Sequence, residues 1–363
     1  MVIDLCGENQ NNWETSNAYN GTPWIWSSVN NFGEKPGLYG KLNRIIEEPQ
    51  RALQSPQGKY MKGIGIIPEG ILNNPLLYDL ALNSAWGKTT DTDNLLLDYA
   101  KYRYGKENDD VLSGLLSLKK SAYISHTEFQ EGCTESLFSA RPAKKIESVS
   151  GWGTRKLFYD YRIVEDALHS FLKATDTFKN SETFQYDVTD IARQVVANRG
   201  QMAYDSLMKA FGEKDVASYN RYKKEFVALL QLQEKLMATN KNFRVGTWIK
   251  QAKDFGKTSY EKQLAEKNAR MQITFWGPDS NSKTDLHEYA HKEWSGLIQD
   301  LYEPRWQLFF EQLDHELAGK PFAAVDFFAM ELKWTQQQNE YSTTPKGNYL
   351  DVLNEIVAFL NSK

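Results

Sequence analysis

Residues 61–86 constrain the fold more than any other stretch of the chain. Gly63-Ile64-Gly65-Ile66-Ile67 is a short apolar run carrying glycines, the pattern of a buried strand in a parallel sheet. Pro68-Glu69-Gly70 stops it, because proline has no N–H to give a ladder and glycine permits a sharp turn. Asn73 and Asn74 then offer helix caps, and Pro75 suits the first helical position. Leu76, Leu77, Leu80, Ala81 and Ser84 follow at helical spacing. The segment therefore reads strand, loop, helix, with Glu69 just past the carboxyl end of the strand. Catalytic groups sit at that point in a barrel of alternating strands and helices. A carboxylate there has two readings: a loop cap or surface ion pair, or a nucleophile or base for glycoside cleavage.

The region 1–105 continues the alternation. Val2–Leu5 is a strand candidate that ends in Cys6-Gly7-Glu8-Asn9, and Pro23–Val29 is a second that ends in Asn30-Asn31-Phe32-Gly33. Helical stretches are expected from Gly37 to Arg44, from Pro49 to Leu53, and over Asp91–Tyr104. Three strands separated by helices imply a parallel sheet, yet three cannot close a barrel of about eight. The expectation is the last part of a barrel or a small open sheet. Beyond residue 105 the period changes. Val111–Tyr123, Lys156–Ala174, Tyr186–Phe211, Ser218–Thr239, Val245–Phe255, Ser259–Thr274, Asp285–Gly319 and Tyr349–Asn361 carry apolar residues three and four apart. An all-α domain over 106–363 is expected, without a repeat of fixed period.

Composition removes several functions. A formal charge of −4 without a long basic run argues against nucleic acid as a partner. No 18-residue apolar run marks a membrane span. Cys6 and Cys133 can form one bridge or stay as two free thiols, and cannot make a CxxC metal site. His287 and His291 stand four apart, but they are read as falling short of the HExxH order and as a solvated helix face. Gly63-Ile64-Gly65 lacks the third glycine of a phosphate loop, and Gly151-Trp152-Gly153-Thr154 reads as a turn between helices. No metal or organic cofactor is called for.

Trp276-Gly277-Pro278-Asp279-Ser280-Asn281-Ser282-Lys283 is the loop of the helical region best placed to touch a ligand. Thr284 or Asp285 can cap the helix expected after it, on whose first turn Leu286 and Tyr289 stand three apart. Trp276 has two readings, an anchored structural indole or one facing a ligand.

Several stretches together resemble the α-N-acetylglucosaminidase family, glycoside hydrolase family 89. They are GIGIIPEGILNNPLLYDLALNSAW around Glu69, Pro23-Trp24-Ile25-Trp26, Asn31-Phe32-Gly33, the FWGP loop with Tyr289-Ala290-His291-Lys292, and Tyr302-Glu303-Pro304-Arg305-Trp306. The likeness runs over nearly all 363 residues. It implies the C-terminal part of a (β/α)8-type barrel followed by a helical domain that lends a Trp, an aliphatic residue and a Tyr to the sugar pocket. The matching residues are Trp276, Leu286 and Tyr289. It implies Glu69 as nucleophile of a retaining exo-acting enzyme on terminal α-linked N-acetylglucosamine of a glycan, with Glu8, Trp26 and Asn31 as further substrate contacts. The family's acid/base lies on an earlier strand, further upstream than the 68 residues preceding Glu69. The chain is therefore expected to be a C-terminal portion, inactive alone and completed by the N-terminal part of the barrel. The other expectation is a non-catalytic sugar-binding or interaction module. Met1–Leu5 opens inside a strand with no signal-peptide pattern; by resemblance the full-length parent is exported or lysosomal.

Overall fold

The computed structural model describes residues 1–86, 91–277 and 286–362. Its strands are β1 (Val2–Asp4), β2 (Trp24–Ser28) and β3 (Met61–Ile66). They form one parallel sheet in the order β1-β2-β3, with Asp4 opposite Trp26 and Ser28 opposite Ile66. Trp24 and Trp26 fill the sheet interior, and Trp13 stacks on Trp24 at 6.1 Å. The helices α1 (Leu42–Gln54) and α2 (Pro75–Asn83) flank the strands, and α3 (Thr92–Tyr104), α4 (Asp109–Lys119) and α5 (Tyr161–Lys173) follow. The remaining long helices are α6 (Glu182–Glu213), α7 (Val216–Ala238), α8 (Val245–Phe255), α9 (Ser259–Gln272), α10 (Glu303–Leu317), α11 (Phe327–Thr335) and α12 (Tyr349–Asn361). The fold is part of a β/α barrel followed by a large helical domain. No described helix is long and apolar enough to cross a membrane.

Compactness groups the chain into two units: Met1–Thr134 with Lys156–Ile191, and Glu135–Arg155 with Ala192–Lys363. The expected boundary near residue 105 falls inside the first of these, because α3, α4 and α5 belong with the sheet. In this unit Asp187 accepts from Arg103 at 2.5 and 2.8 Å and from the Tyr104 hydroxyl at 2.6 Å.

Local rules explain most element ends. Asp160 accepts from the Arg162 N–H and starts α5 five residues later than the apolar spacing suggests. Thr258 and Glu261 close a capping box on α9. The two short helices expected around residues 37–53 are one, α1, with Pro49 inside it. The buried face of Leu42, Ile45, Ile46 and Ala52 outweighs the lost N–H. The helix expected over Asp285–Gly319 does not run through: residues 286–290 form a turn, Ile298–Tyr302 a π-helical turn, and only Glu303–Leu317 is α-helical. Helix α11 carries Phe327-Phe328 side by side, which shows no period, and escapes the sequence reading.

The core of the second unit is aromatic. Trp306 is fully buried, with Phe226 at 4.5 Å, Phe310 at 5.7 Å and Tyr204 at 5.8 Å, and its indole N–H donates to the Phe138 carbonyl at 3.1 Å. Gly200 on α6 lets Phe138 approach: a Cβ there would stand 2.5 Å from the ring. Trp306→Ala is expected to cost about 3–5 kcal/mol through the cavity and the orphaned carbonyl. Urea unfolding followed by circular dichroism checks it, and a loss under about 1 kcal/mol would contradict this packing.

Candidate active site

The loops after β2 and β3 are laced together by asparagine side chains. Asn30, with φ 61°, turns the chain sharply at the end of β2. The Asn31 carboxamide oxygen then accepts the Glu69 N–H at 3.2 Å, and its NH2 donates to the Gly70 carbonyl and to Asn73 Oδ1, both at 2.9 Å. Asn73 donates to the Lys35 carbonyl at 2.7 Å. Asn74 donates to the Gly37 carbonyl at 2.8 Å and accepts from the Tyr39 N–H and the Tyr123 hydroxyl, each at 3.0 Å. Asn74 occupies the cap position of α2 at φ 48°, but its side chain makes no cap bond, being spent on this lacing. Glu34 accepts the Leu72 N–H at 2.9 Å from the other direction.

Glu69 is held at the rim of this weave. One carboxylate oxygen accepts the Gly33 N–H at 2.7 Å, while the residue as a whole is exposed. An oriented, solvent-reaching carboxylate at the carboxyl end of a parallel strand is chemically suited to attack an electrophilic carbon or to take a proton. The other residues named from this region lie behind it. Asn31 is buried, with its carboxamide engaged as above. Trp26 is fully buried against Gly7, where a Cβ would come within 2.4 Å of the indole.

Glu8, past the end of β1, is 1% exposed, and its Oε2 has no hydrogen-bond partner. Burial pushes its carboxyl up to about 7. The Ser28 hydroxyl, the Asn30 backbone and the Lys41 charge pull the other way and only partly offset burial. Lys41, itself buried, is pushed down to about 8. Glu8 is thus a buried carboxyl near the sheet's carboxyl end rather than a surface charge.

In the second unit the 271–277 and 286–293 segments are pinned to each other. The Glu288 N–H donates to the Thr274 carbonyl at 2.5 Å, and the Trp276 N–H to the Met271 carbonyl at 2.9 Å. Trp276 and Glu288 both have left-handed backbones, φ 61° and 55°. Trp276 and Tyr289 meet edge to face at 5.6 Å and 80°, and Tyr289 donates its N–H to the Leu286 carbonyl at 3.0 Å. All three residues are partly exposed. The loop residues 278–283 and the cap expected at Thr284 or Asp285 lie outside the described residues.

Arg305 explains how this turn is held. Fully buried, it binds the carboxylates of Glu288 and of Glu331, the latter at 2.8 Å, and Arg141 closes on Glu331 at 2.6 Å. Two cations and two anions alternate, so no buried charge stands alone. Burial and the like charge of Glu331 still push the Glu288 carboxyl upward. The Tyr302–Trp306 motif is therefore a support for the segment bearing Tyr289.

The residues His287-Glu288-Tyr289-Ala290-His291 do spell HExxH, contrary to the sequence reading above. The backbone withholds the helix that motif needs, since they form a turn with Glu288 left-handed. His291 is buried with Nδ1 2.8 Å from the Glu288 carbonyl. No group of three metal-ligating side chains occurs among the described residues. Cys6 and Cys133 are both unbridged thiols.

Sequence reasoning also passed over Trp152. It sits in what reads as a plain turn, yet meets Tyr289 edge to face at 5.7 Å and 86°. Its flanking glycines, Gly151 and Gly153, were the available signal.

Glu8 generates a pH prediction. Its folded pKa lies above the unfolded value, so its contribution is intact below about pH 4.5 and is lost as pH rises through about 7. Wild type should therefore lose stability relative to Glu8→Gln between pH 5 and 7.5. Melting temperatures of both proteins at the two pH values check this, and parallel shifts would contradict it.

Comparison with known proteins agrees with this fold. The family model described as the α-N-acetylglucosaminidase C-terminal domain matches residues 96–358, and that of the family's TIM-barrel domain matches residues 1–88. The human α-N-acetylglucosaminidase is 29% identical over 98% of this chain and 47% of its own length. A family 89 glycoside hydrolase from Clostridium perfringens, in complex with 2-acetamido-1,2-dideoxynojirimycin, superposes with a TM-score of 0.92 at 33% identity, covering 99% of this chain and 41% of that one. A form of the clostridial enzyme with two glutamates changed to glutamine, in complex with its substrate GlcNAc-α-1,4-galactose, gives the same values. The chain spans less than half the length of these relatives. With barrel and helical models matching in order along it, the chain belongs to the α-N-acetylglucosaminidase family, glycoside hydrolase family 89.

Proposed function

We propose that the chain carries the nucleophile of a retaining exo-α-N-acetylglucosaminidase, and that Glu69 is that nucleophile. The observation supporting this is the oriented exposure of Glu69: one carboxylate oxygen is fixed by the Gly33 N–H on a loop that Asn31 holds in place. In such a mechanism the carboxylate attacks the anomeric carbon, the glycosidic C–O bond breaks, and a second carboxyl protonates the departing oxygen. Water then cleaves the glycosyl ester, with net retention.

On this reading Trp276, Leu286 and Tyr289 contact the terminal sugar, while Asn31 acts as a positioning residue and Glu8 and Trp26 support the loops from behind. The second carboxyl belongs to a part of the family's barrel that the sequence resemblance does not find in these residues. We infer that the 363 residues alone give no steady turnover, since a general acid supplies about 10²–10⁴-fold of rate.

A reagent that needs no general acid separates these points. A 5-fluoro α-N-acetylglucosaminyl fluoride should leave one sugar esterified to Glu69, found by peptide mass spectrometry, and Glu69→Gln should leave none. Labelling at another residue, or labelling that survives the substitution, would refute the assignment of Glu69. Steady hydrolysis of an unactivated glycoside by the same chain would refute the inferred inactivity.

A further inference from the structure

The second unit presents three aromatic rings in contact order Trp276, Tyr289, Trp152, each neighbouring pair near perpendicular. The phenol is the middle ring. Trp152 thus adjoins a residue read as a contact of the terminal sugar.

Trp152 is 48% exposed and in ring contact with a second partly exposed aromatic, Tyr289. The turn beneath it is not loose. Glu135, buried, accepts the N–H groups of Val149 at 2.7 Å and Ser150 at 3.2 Å and the Ser150 hydroxyl at 2.5 Å, so the loop wraps around one carboxylate. Gly153 lies against that carboxylate so closely that a Cβ would stand 1.8 Å from it. The Glu135 N–H donates to the Thr154 carbonyl at 2.8 Å, and Arg155 pairs with Asp205 at 2.7 Å. The indole is thus held out by a rigid support, and little conformational entropy remains to be lost when a ring stacks on it. An exposed, preorganised indole continuous with an aromatic sugar contact matches the apolar C–H face of a pyranose.

We propose that Trp152 is a specificity-determining residue that stacks the second sugar, the one to which a terminal α-linked N-acetylglucosamine is attached. This rests on the reading of Trp276 and Tyr289 as contacts of the terminal sugar. It adds a preference for disaccharide ends over simple glycosides.

The test is calorimetric titration of the full chain with methyl α-N-acetylglucosaminide and with an α-linked N-acetylglucosaminyl disaccharide. Wild type should bind the disaccharide more tightly by about 3–10-fold, the range expected for one aromatic contact. Trp152→Ala should erase that advantage while holding the methyl glycoside affinity within about twofold, and Trp152→Phe should keep part of it. An unchanged monosaccharide affinity reports that the variant is folded. Equal weakening of both ligands, or of neither, would overturn the role of Trp152 while leaving the proposed function standing. Binding of neither sugar by wild type would overturn both.

Discussion

The hydrogen-bond lacing between residues 31–39 and 69–74 is the constraint on which the candidate site depends. Three asparagines supply it, and each works as a surrogate for backbone: Asn31 for Glu69 and Gly70, Asn73 for Lys35, and Asn74 for Gly37 and Tyr39. Two loops at the carboxyl ends of neighbouring strands would otherwise carry unpaired amide groups in a buried place. Carboxamides satisfy donors and acceptors at once and carry no charge to desolvate. The result is a fixed backbone at Glu69 with its carboxylate outermost.

The helical unit reaches a similar end by ionic means. Glu288, Arg305, Glu331 and Arg141 alternate in charge beneath the turn that bears Tyr289. Removing Arg305 would leave the buried Glu288 carboxylate without its cation, a situation far costlier than a missing surface pair. Glu288 in this ionic chain has a left-handed backbone, which is incompatible with a helix there, and the next residue, Tyr289, meets Trp276.

Much of the frame was legible because local rules and tertiary packing agree. The strand at 61–66, the Pro68-Glu69-Gly70 stop and Pro75 at the start of α2 follow from residue chemistry alone. Helices such as α8 and α12 match their apolar periods to the residue. What escaped depends on distant partners. Asn74 has the residue type of a cap and is drawn away by Gly37, Tyr39 and Tyr123. Residues 286–290 lie in the expected helix but form a turn, in which Glu288 pairs with Arg305. Trp152 is in no periodic pattern, and its placement comes from Glu135 and Gly153. Glu69 itself was legible as a position, whereas its partners at Asn31 and Gly33 are set by the register of β2 on β3.

The most direct measurement is amide hydrogen exchange at Gly33 and Glu69, in wild type and in Asn31→Ala. Both amides donate to side chains in the lacing, and the account predicts slow exchange that quickens at least tenfold in the variant while amides of α7 stay unchanged. Exchange already fast in wild type, or unaffected by the substitution, would contradict the claim that this weave holds the carboxylate in place.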